Sequence, residues 1–236
     1  MSDHIVSAFD RDLEAVQALV IKMGGLVEQQ ILDSATALVL RDEDLAEATR
    51  KQDKLVDALE EQINRKAALL IALRAPAAED LRVALSVIKI SASLERVGDY
   101  AKNNSKRSKL LMQMTEINGA AGAIRRMATA AEGLLKDAID SFIQRDIHLA
   151  EDVRQRDLEI DQMYNALFRE FLTYMLEDPR NITPCMHLQF IAKNIERVGD
   201  HATAIADQVI YLVTGTAPDD ARPKTDSVQA VDTRGV

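Results

Sequence analysis

Apolar residues recur every three or four positions along most of the 236-residue chain, the spacing that places them on one face of an α-helix. The first stretch is the clearest. Phe9, Leu13, Val16, Val20, Met23, Val27, Ile31, Ala35 and Leu38 form a sustained stripe, with Glu14, Lys22 and Glu28 among the residues off it. A similar stripe, Ile124, Met127, Ala131, Leu134, Ala138 and Phe142, appears in the second half. No segment alternates apolar and polar residues between hairpin turns, so no appreciable sheet is expected.

Proline placement divides this pattern, because proline breaks a helix interior by removing a donor and clashing with the preceding turn. Pro76, Pro179, Pro184, Pro218 and Pro223 are the only prolines. Between them the periodicity predicts six long helices, at roughly 4–40, 42–73, 77–114, 119–144, 146–177 and 184–214. Arg41-Asp42 and Arg145-Asp146 read as tight corners, with an acid favoured at the start of the helix that follows. Gly24-Gly25 lies inside the first helix, where each glycine costs about 1 kcal/mol relative to alanine; a close helix contact or a bend explains it. From Thr216 the chain is polar and aperiodic, which predicts a disordered tail over 216–236.

The chain also repeats itself. At an offset of 104, residues 41–57 match 145–161 at Arg41, Asp42, Leu45, Ala46, Glu47, Arg50, Asp53 and Asp57. Leu94-Glu95-Arg96-Val97-Gly98-Asp99-Tyr100-Ala101 returns, at an offset of 101, as Ile195-Glu196-Arg197-Val198-Gly199-Asp200-His201-Ala202. The architecture expected is therefore all-α: two tandem three-helix bundles from an internal duplication, at 1–116 and 117–215.

What repeats is polar, which a duplicated apolar core does not require. Each half keeps two acids four residues apart on its second helix, Asp53 and Asp57, then Asp157 and Asp161. Each also keeps two on its third helix, Glu95 and Asp99, then Glu196 and Asp200. Acids at i and i+4 share one helix face. If the second and third helices are antiparallel neighbours, four carboxylates face one another in each half. Like charges so placed raise one another's pKa or gather a cation, and oxygen-only ligands suit Mg, Ca, Mn or Fe. Salt-bridge networks with Arg50, Arg96, Arg154 and Arg197 account for the same residues equally well. Gly98 and Gly199, between the acids, permit close approach of a facing helix or a metal–water cluster.

Composition narrows the partners. A net charge of −9 and aromatics at 4% without tryptophan point away from nucleic-acid binding. The single cysteine, Cys185, excludes an intramolecular disulfide and a multi-cysteine zinc site, and reads as a structural thiol. The longest uncharged apolar run, Ala67 to Leu73, falls far short of the ~20 residues that cross a bilayer, and the first residues lack a signal-peptide pattern. His4, His148, His187 and His201 complete no Glu-x-x-His, so the ferritin-like di-iron signature is missing. No Gly-rich phosphate loop and no Gly-x-Ser-x-Gly elbow occurs.

The run Arg74-Ala75-Pro76-Ala77-Ala78-Glu79-Asp80-Leu81-Arg82, followed by Leu94-Glu95-Arg96-Val97-Gly98-Asp99-Tyr100-Ala101, closely resembles the PhoU family of phosphate-transport accessory and regulatory proteins. Its second-repeat copy at residues 195–202 fits too, and the resemblance covers about residues 4–214. The resemblance implies a cytoplasmic, often dimeric, non-enzymatic protein that negatively controls the phosphate-starvation response. Control runs through the cytoplasmic components of the phosphate ABC transporter and its partner sensor histidine kinase. It also implies multinuclear clusters of divalent or trivalent metal (Fe, Mn, Mg, Zn or Ca) on the acidic motifs. Carried over by position, the ligands are Asp53, Asp57, Glu95, Asp99, Asp157, Asp161, Glu196 and Asp200. The family tends to continue its third-helix motif with Asn-Ile; here Asn103 is followed by Asn104, and the second half has Ala204 in place of the Asn. Other readings of the acids are a carboxylate-bridged metal-dependent hydrolase and a metal-free helical scaffold.

Overall fold

The computed structural model describes residues 2–74 and 78–218. Over these the chain is helical, as the periodicity predicts: α1 (Ser2–Leu40), α2 (Glu43–Arg74), α3 (Ala78–Leu111), α4 (Ala120–Gln144), α5 (Ile147–Glu177) and α6 (Ile182–Thr214). A single 3-10 turn, Pro179–Asn181, precedes α6. The expected tail lies, from residue 219 on, outside the described residues.

The two Arg-Asp corners have one geometry used twice. Arg41 and Arg145 both adopt left-handed backbone at φ 53°, which turns the chain out of the preceding helix. The following amides fold back, Asp42 N donating to Ala37 O and Asp146 N to Ser141 O at 3.0 Å each. The two acids then cap the next helix. Asp42 Oδ1 accepts from Leu45 N at 2.9 Å, and Asp146 Oδ1 from His148 N at 2.8 Å, satisfying amides that have no intrahelical partner.

Most boundaries fall within one or two residues of the sequence expectation, and the shifts at α3 and α6 have a visible cause. α3 stops at Leu111, not near residue 114, because the Arg41 guanidinium donates to the carbonyls of Leu111 and Met112. Those carbonyls are capped by a side chain, so the helix need not continue. α6 starts at Ile182 rather than at Pro184. Proline falls in the first turn, where its missing N–H has no intrahelical acceptor to lose.

From Val16 on, the first predicted stripe is core, as is the second; Phe9 lies outside the residues whose side chains are described. Val16, Val20, Met23, Val27, Ile31, Ala35 and Leu38 of α1 are buried, as are Ile124, Met127, Ala131, Leu134, Ala138 and Phe142 of α4. α1, α2 and α3 pack mutually, as do α4, α5 and α6, and the bundles join through α1 against α4 and α3 against α6. α2 and α5 touch only helices of their own repeat among the described residues, so they form the outer layer. Gly24 belongs to this joint: a Cβ there would stand 2.6 Å from Ile139 Cδ1 on α4. α1 passes through it unbroken, so close contact explains that glycine, whereas Gly25 faces open space.

The joint between α3 and α6 is antiparallel. Lys89 lies over the Tyr211 ring, Tyr100 meets His201, Asn104 meets Asn194 and Arg107 meets Phe190. Asn104, the residue following the family's motif asparagine, is buried here and accepts from Asn194 Nδ2 at 2.9 Å. It is a link between repeats.

Candidate functional site

Antiparallel pairing of the second and third helices of each repeat places the predicted acids face to face. In the first repeat Lys109 Nζ lies 3.3 Å from Glu47 Oε2, Lys102 Nζ 2.5 Å from Asp53 Oδ2, and Gly98 faces Val56 and Asp53. That register brings Asp53, Asp57, Glu95 and Asp99 within one electrostatic neighbourhood. Asp57 is raised above the usual aspartate range by burial first and then by Asp53 and Asp99. Glu95 is raised in the same way, by burial and then by Asp99, Glu60 and Asp57 among its neighbours. Glu60 is a fifth acid of this group; its counterpart in the second repeat is Tyr164, so the duplication gave no sign of it.

A cation already stands in this cluster. Lys102 Nζ donates to Asp53 Oδ2 at 2.5 Å and to Asp99 Oδ1 at 2.6 Å. Burial alone would depress the ammonium's pKa, but its hydrogen bonds to Asp53 and Asp99 outweigh that and hold it above the ordinary lysine value. Asp53 is nearly fully buried, and a buried carboxylate without a compensating charge is costly. Sequence reasoning considered only arginines as partners. In fact Arg50 pairs with Glu47 outside the cluster at 2.7 Å, and Arg96 reaches Glu95 and Asp99 only at 3.7 and 3.9 Å. Lys102 sits three residues after Asp99, on the same face, but Thr203 replaces it in the second repeat.

The second repeat has the same frame with different surroundings. Arg154 pairs with Asp207 at 2.9 Å, fixing the register of α5 against α6. Gly199 packs against the Asp157 carboxylate and Ile160, so the glycine makes room for an acid of the facing helix. Glu196 is half-buried. Burial raises its pKa above the usual glutamate range, Asp200 and Asp161 raise it further, and Lys193 opposes them. Lys193 Nζ donates to Glu196 Oε1 at 2.5 Å, while Oε2 is buried without a hydrogen-bond partner.

This donor set fits a hard cation in chemistry: four carboxylates per repeat, and in the second an orphaned buried oxygen on Glu196. The side chains gather but do not converge. Among the described residues no group of three or more His, Cys, Asp or Glu is arranged to hold a metal ion. One shallow groove includes Arg41, Ile117 and Pro184 in its wall, and another lies between Asp12 and Leu73; neither is lined by any of the eight acids.

His201 faces the other repeat, and its pKa is depressed first by burial and then by Arg96 and Arg197, against Asp200. Cys185 is a buried free thiol whose pKa burial raises. No helix among the described residues is long and apolar enough to cross a membrane.

Comparison with known proteins decides the family. The PhoU domain matches this chain twice, over residues 20–108 and 124–209, one match in each bundle. The chain belongs to the PhoU family. It is 47% identical over 223 residues to a Rhizobium meliloti protein named phosphate-specific transport system accessory protein PhoU homolog, covering 94% of each chain. A Caulobacter vibrioides protein of the same name is 45% identical over 226 residues, covering 96% of this chain and 98% of the relative. The crystal structure of PhoU from Pseudomonas aeruginosa superposes with a TM-score of 0.85 at 37% identity, over 88% of this chain and all 100% of that one. The PhoU of Streptococcus pneumoniae, described as a phosphate transport system regulatory protein, gives 0.82 at 27% identity, over 89% and 99%. The two relatives are named as accessory to phosphate-specific transport, and the Streptococcus pneumoniae structure as a regulatory protein of phosphate transport.

Proposed function

We propose that this chain is an accessory and regulatory protein of a phosphate transport system. When phosphate is plentiful it engages the cytoplasmic parts of the phosphate ABC transporter and the transporter's sensor histidine kinase, and holds the starvation response off. The observation that carries this reading is its end-to-end match to proteins named as accessory to phosphate-specific transport. The protein works in the cytoplasm as a homodimer, and the acids of the two repeats bind divalent or trivalent metal through oxygen ligands.

One surface supports the partner contact. On α5 and α6, Leu172, Leu176, Ile182, Met186 and Phe190 are exposed, spaced four residues apart along each helix. Gln189 Nε2 lies 3.4 Å from Tyr164 Oη and Lys193 Nζ 5.1 Å from the Tyr164 ring centroid, which sets α5 beside α6. In the first repeat the positions of Leu172, Leu176 and Phe190 hold Ala68, Ala72 and Lys89. The positions of Ile182 and Met186 hold Leu81 and Leu85, and Leu85 is exposed too; exposed apolar residues of this kind mark interaction sites. The net charge of −9 favours basic patches on the partner.

The test is binding of the full chain to the detergent-solubilised transporter, with and without phosphate. Saturable binding that Met186→Asp/Phe190→Asp abolishes supports the proposal. A chain that binds neither the transporter nor the kinase's cytoplasmic domain overturns it.

A further inference from the structure

The two repeats agree in their acids and differ in what stands beside them. In the first, Lys102 bridges Asp53 and Asp99 at 2.5 and 2.6 Å. The same position in the second is Thr203, whose hydroxyl donates to the carbonyl of Gly199 at 2.9 Å instead. Beside the bridge lies a second departure from the repeat. Gln30 of α1 is 1% exposed, and both its amide nitrogen and its amide oxygen lack a hydrogen-bond partner. A Cβ placed on Gly98 would be 3.3 Å from Gln30 Oε1 and 3.7 Å from Asp53 Oδ1, so both oxygens line the same small space under Gly98. The corresponding residue of α4 is Leu134. A buried amide with nothing to bond is costly and calls for an explanation, and a buried amide next to a buried carboxylate provides oxygen ligands for a hard cation.

We infer that the first repeat keeps its acidic site closed with its own ammonium group. Lys102 Nζ stands between Asp53 and Asp99 where a divalent cation would sit, Gln30 Oε1 is a further oxygen ligand held in reserve, and metal enters this repeat only by displacing Lys102. The inference rests on the metal reading of the acids. It makes Lys102 the residue that sets metal occupancy in the first repeat, while the second repeat is loaded independently of it.

The test is Mn²⁺ binding to the chelator-stripped full chain, followed by the electron paramagnetic resonance of free Mn²⁺. Glu196→Gln/Asp200→Asn disables the second site and leaves the first to be read alone. In that background the chain with Lys102 intact should bind Mn²⁺ weakly. Lys102→Thr should bind it at least about tenfold more tightly, a difference of about 1.4 kcal/mol, and should lose the gain when Gln30→Leu or Asp53→Asn is added. In chelator Lys102→Thr should melt below its parent, because Asp53 is left without a counter-charge, and Mn²⁺ should restore the melting temperature. If Lys102→Thr does not fold, Lys102→Gln, which retains a hydrogen-bond donor, carries the same comparison. Equal affinity with and without Lys102 overturns the inference and leaves the metal reading standing. No Mn²⁺ binding by any variant or by the wild-type chain overturns both.

Discussion

Tyr100 and His201 occupy the same position in the two repeats, and they touch: their ring centroids are 5.7 Å apart, with Tyr100 Oη 3.4 Å from His201 Nε2. A residue meets its own counterpart only where an approximate two-fold axis passes. The neighbours obey the same relation. Arg197 lies 5.9 Å from the Tyr100 ring centroid, and Arg96, its counterpart, acts on His201. On the other side of the joint Glu28 of α1 is raised by burial and then by Glu132, its own counterpart on α4. The two bundles are thus packed as a dimer within one chain, sharing one apolar core.

That joint is tested at Asn194. Its Nδ2 satisfies Asn104 Oδ1, and Asn104 is buried. Asn194→Ala leaves the oxygen unpartnered and should cost about 1–3 kcal/mol in urea unfolding. Adding Asn104→Ala should cost less than the sum of the two single changes. Strict additivity would show that the two amides do not depend on each other.

The glycines separate packing from chemistry. Gly25→Ala meets nothing within 4 Å and should stabilise the protein by about 1 kcal/mol, the helix-propensity difference, without altering metal binding. Gly199→Ala collides with the Asp157 carboxylate and should weaken metal binding in the second repeat through displacement of that acid. Unchanged metal affinity in Gly199→Ala would detach Asp157 from the site.

Glu196 gives a pH signature. Burial holds its folded pKa above the unfolded value of about 4.3, so the folded state prefers the protonated acid. Its contribution to stability is complete below the unfolded pKa and is lost as pH rises through the folded one. In chelator, Glu196→Gln should therefore gain in melting temperature relative to wild type as pH rises from about 4 to 7, and added Mn²⁺ should raise wild type more than the variant. A difference independent of pH would show that Glu196 is no more enclosed than an ordinary surface acid.

Much of this fold was legible in the sequence because its determinants are local and repeated. The stripe from Val16 to Leu38 is buried as its spacing requires, and the Arg-Asp corners are capped as their acids suggest. The acids were found because they recur in both halves. Lys102, Gln30 and Glu60 were missed for the converse reason: each occurs in one repeat only, and comparison of the halves discards what is not shared. The Tyr100–His201 contact was missed because it depends on how α3 crosses α6, a relation between distant segments that neither periodicity nor spacing encodes.

The claim at the centre of this account is that the chain restrains the phosphate-starvation response through its acidic repeats. The most direct measurement is a starvation-gene reporter in phosphate-rich medium, in a strain lacking the chain and complemented with wild type or with Asp157→Asn/Asp161→Asn/Glu196→Gln/Asp200→Asn. The reporter should be on in the deletion, off with wild type, and on again with the variant, provided the variant is helical and present at the wild-type level. A reporter that stays silent in the deletion, or that the variant silences as fully as wild type, would contradict the account.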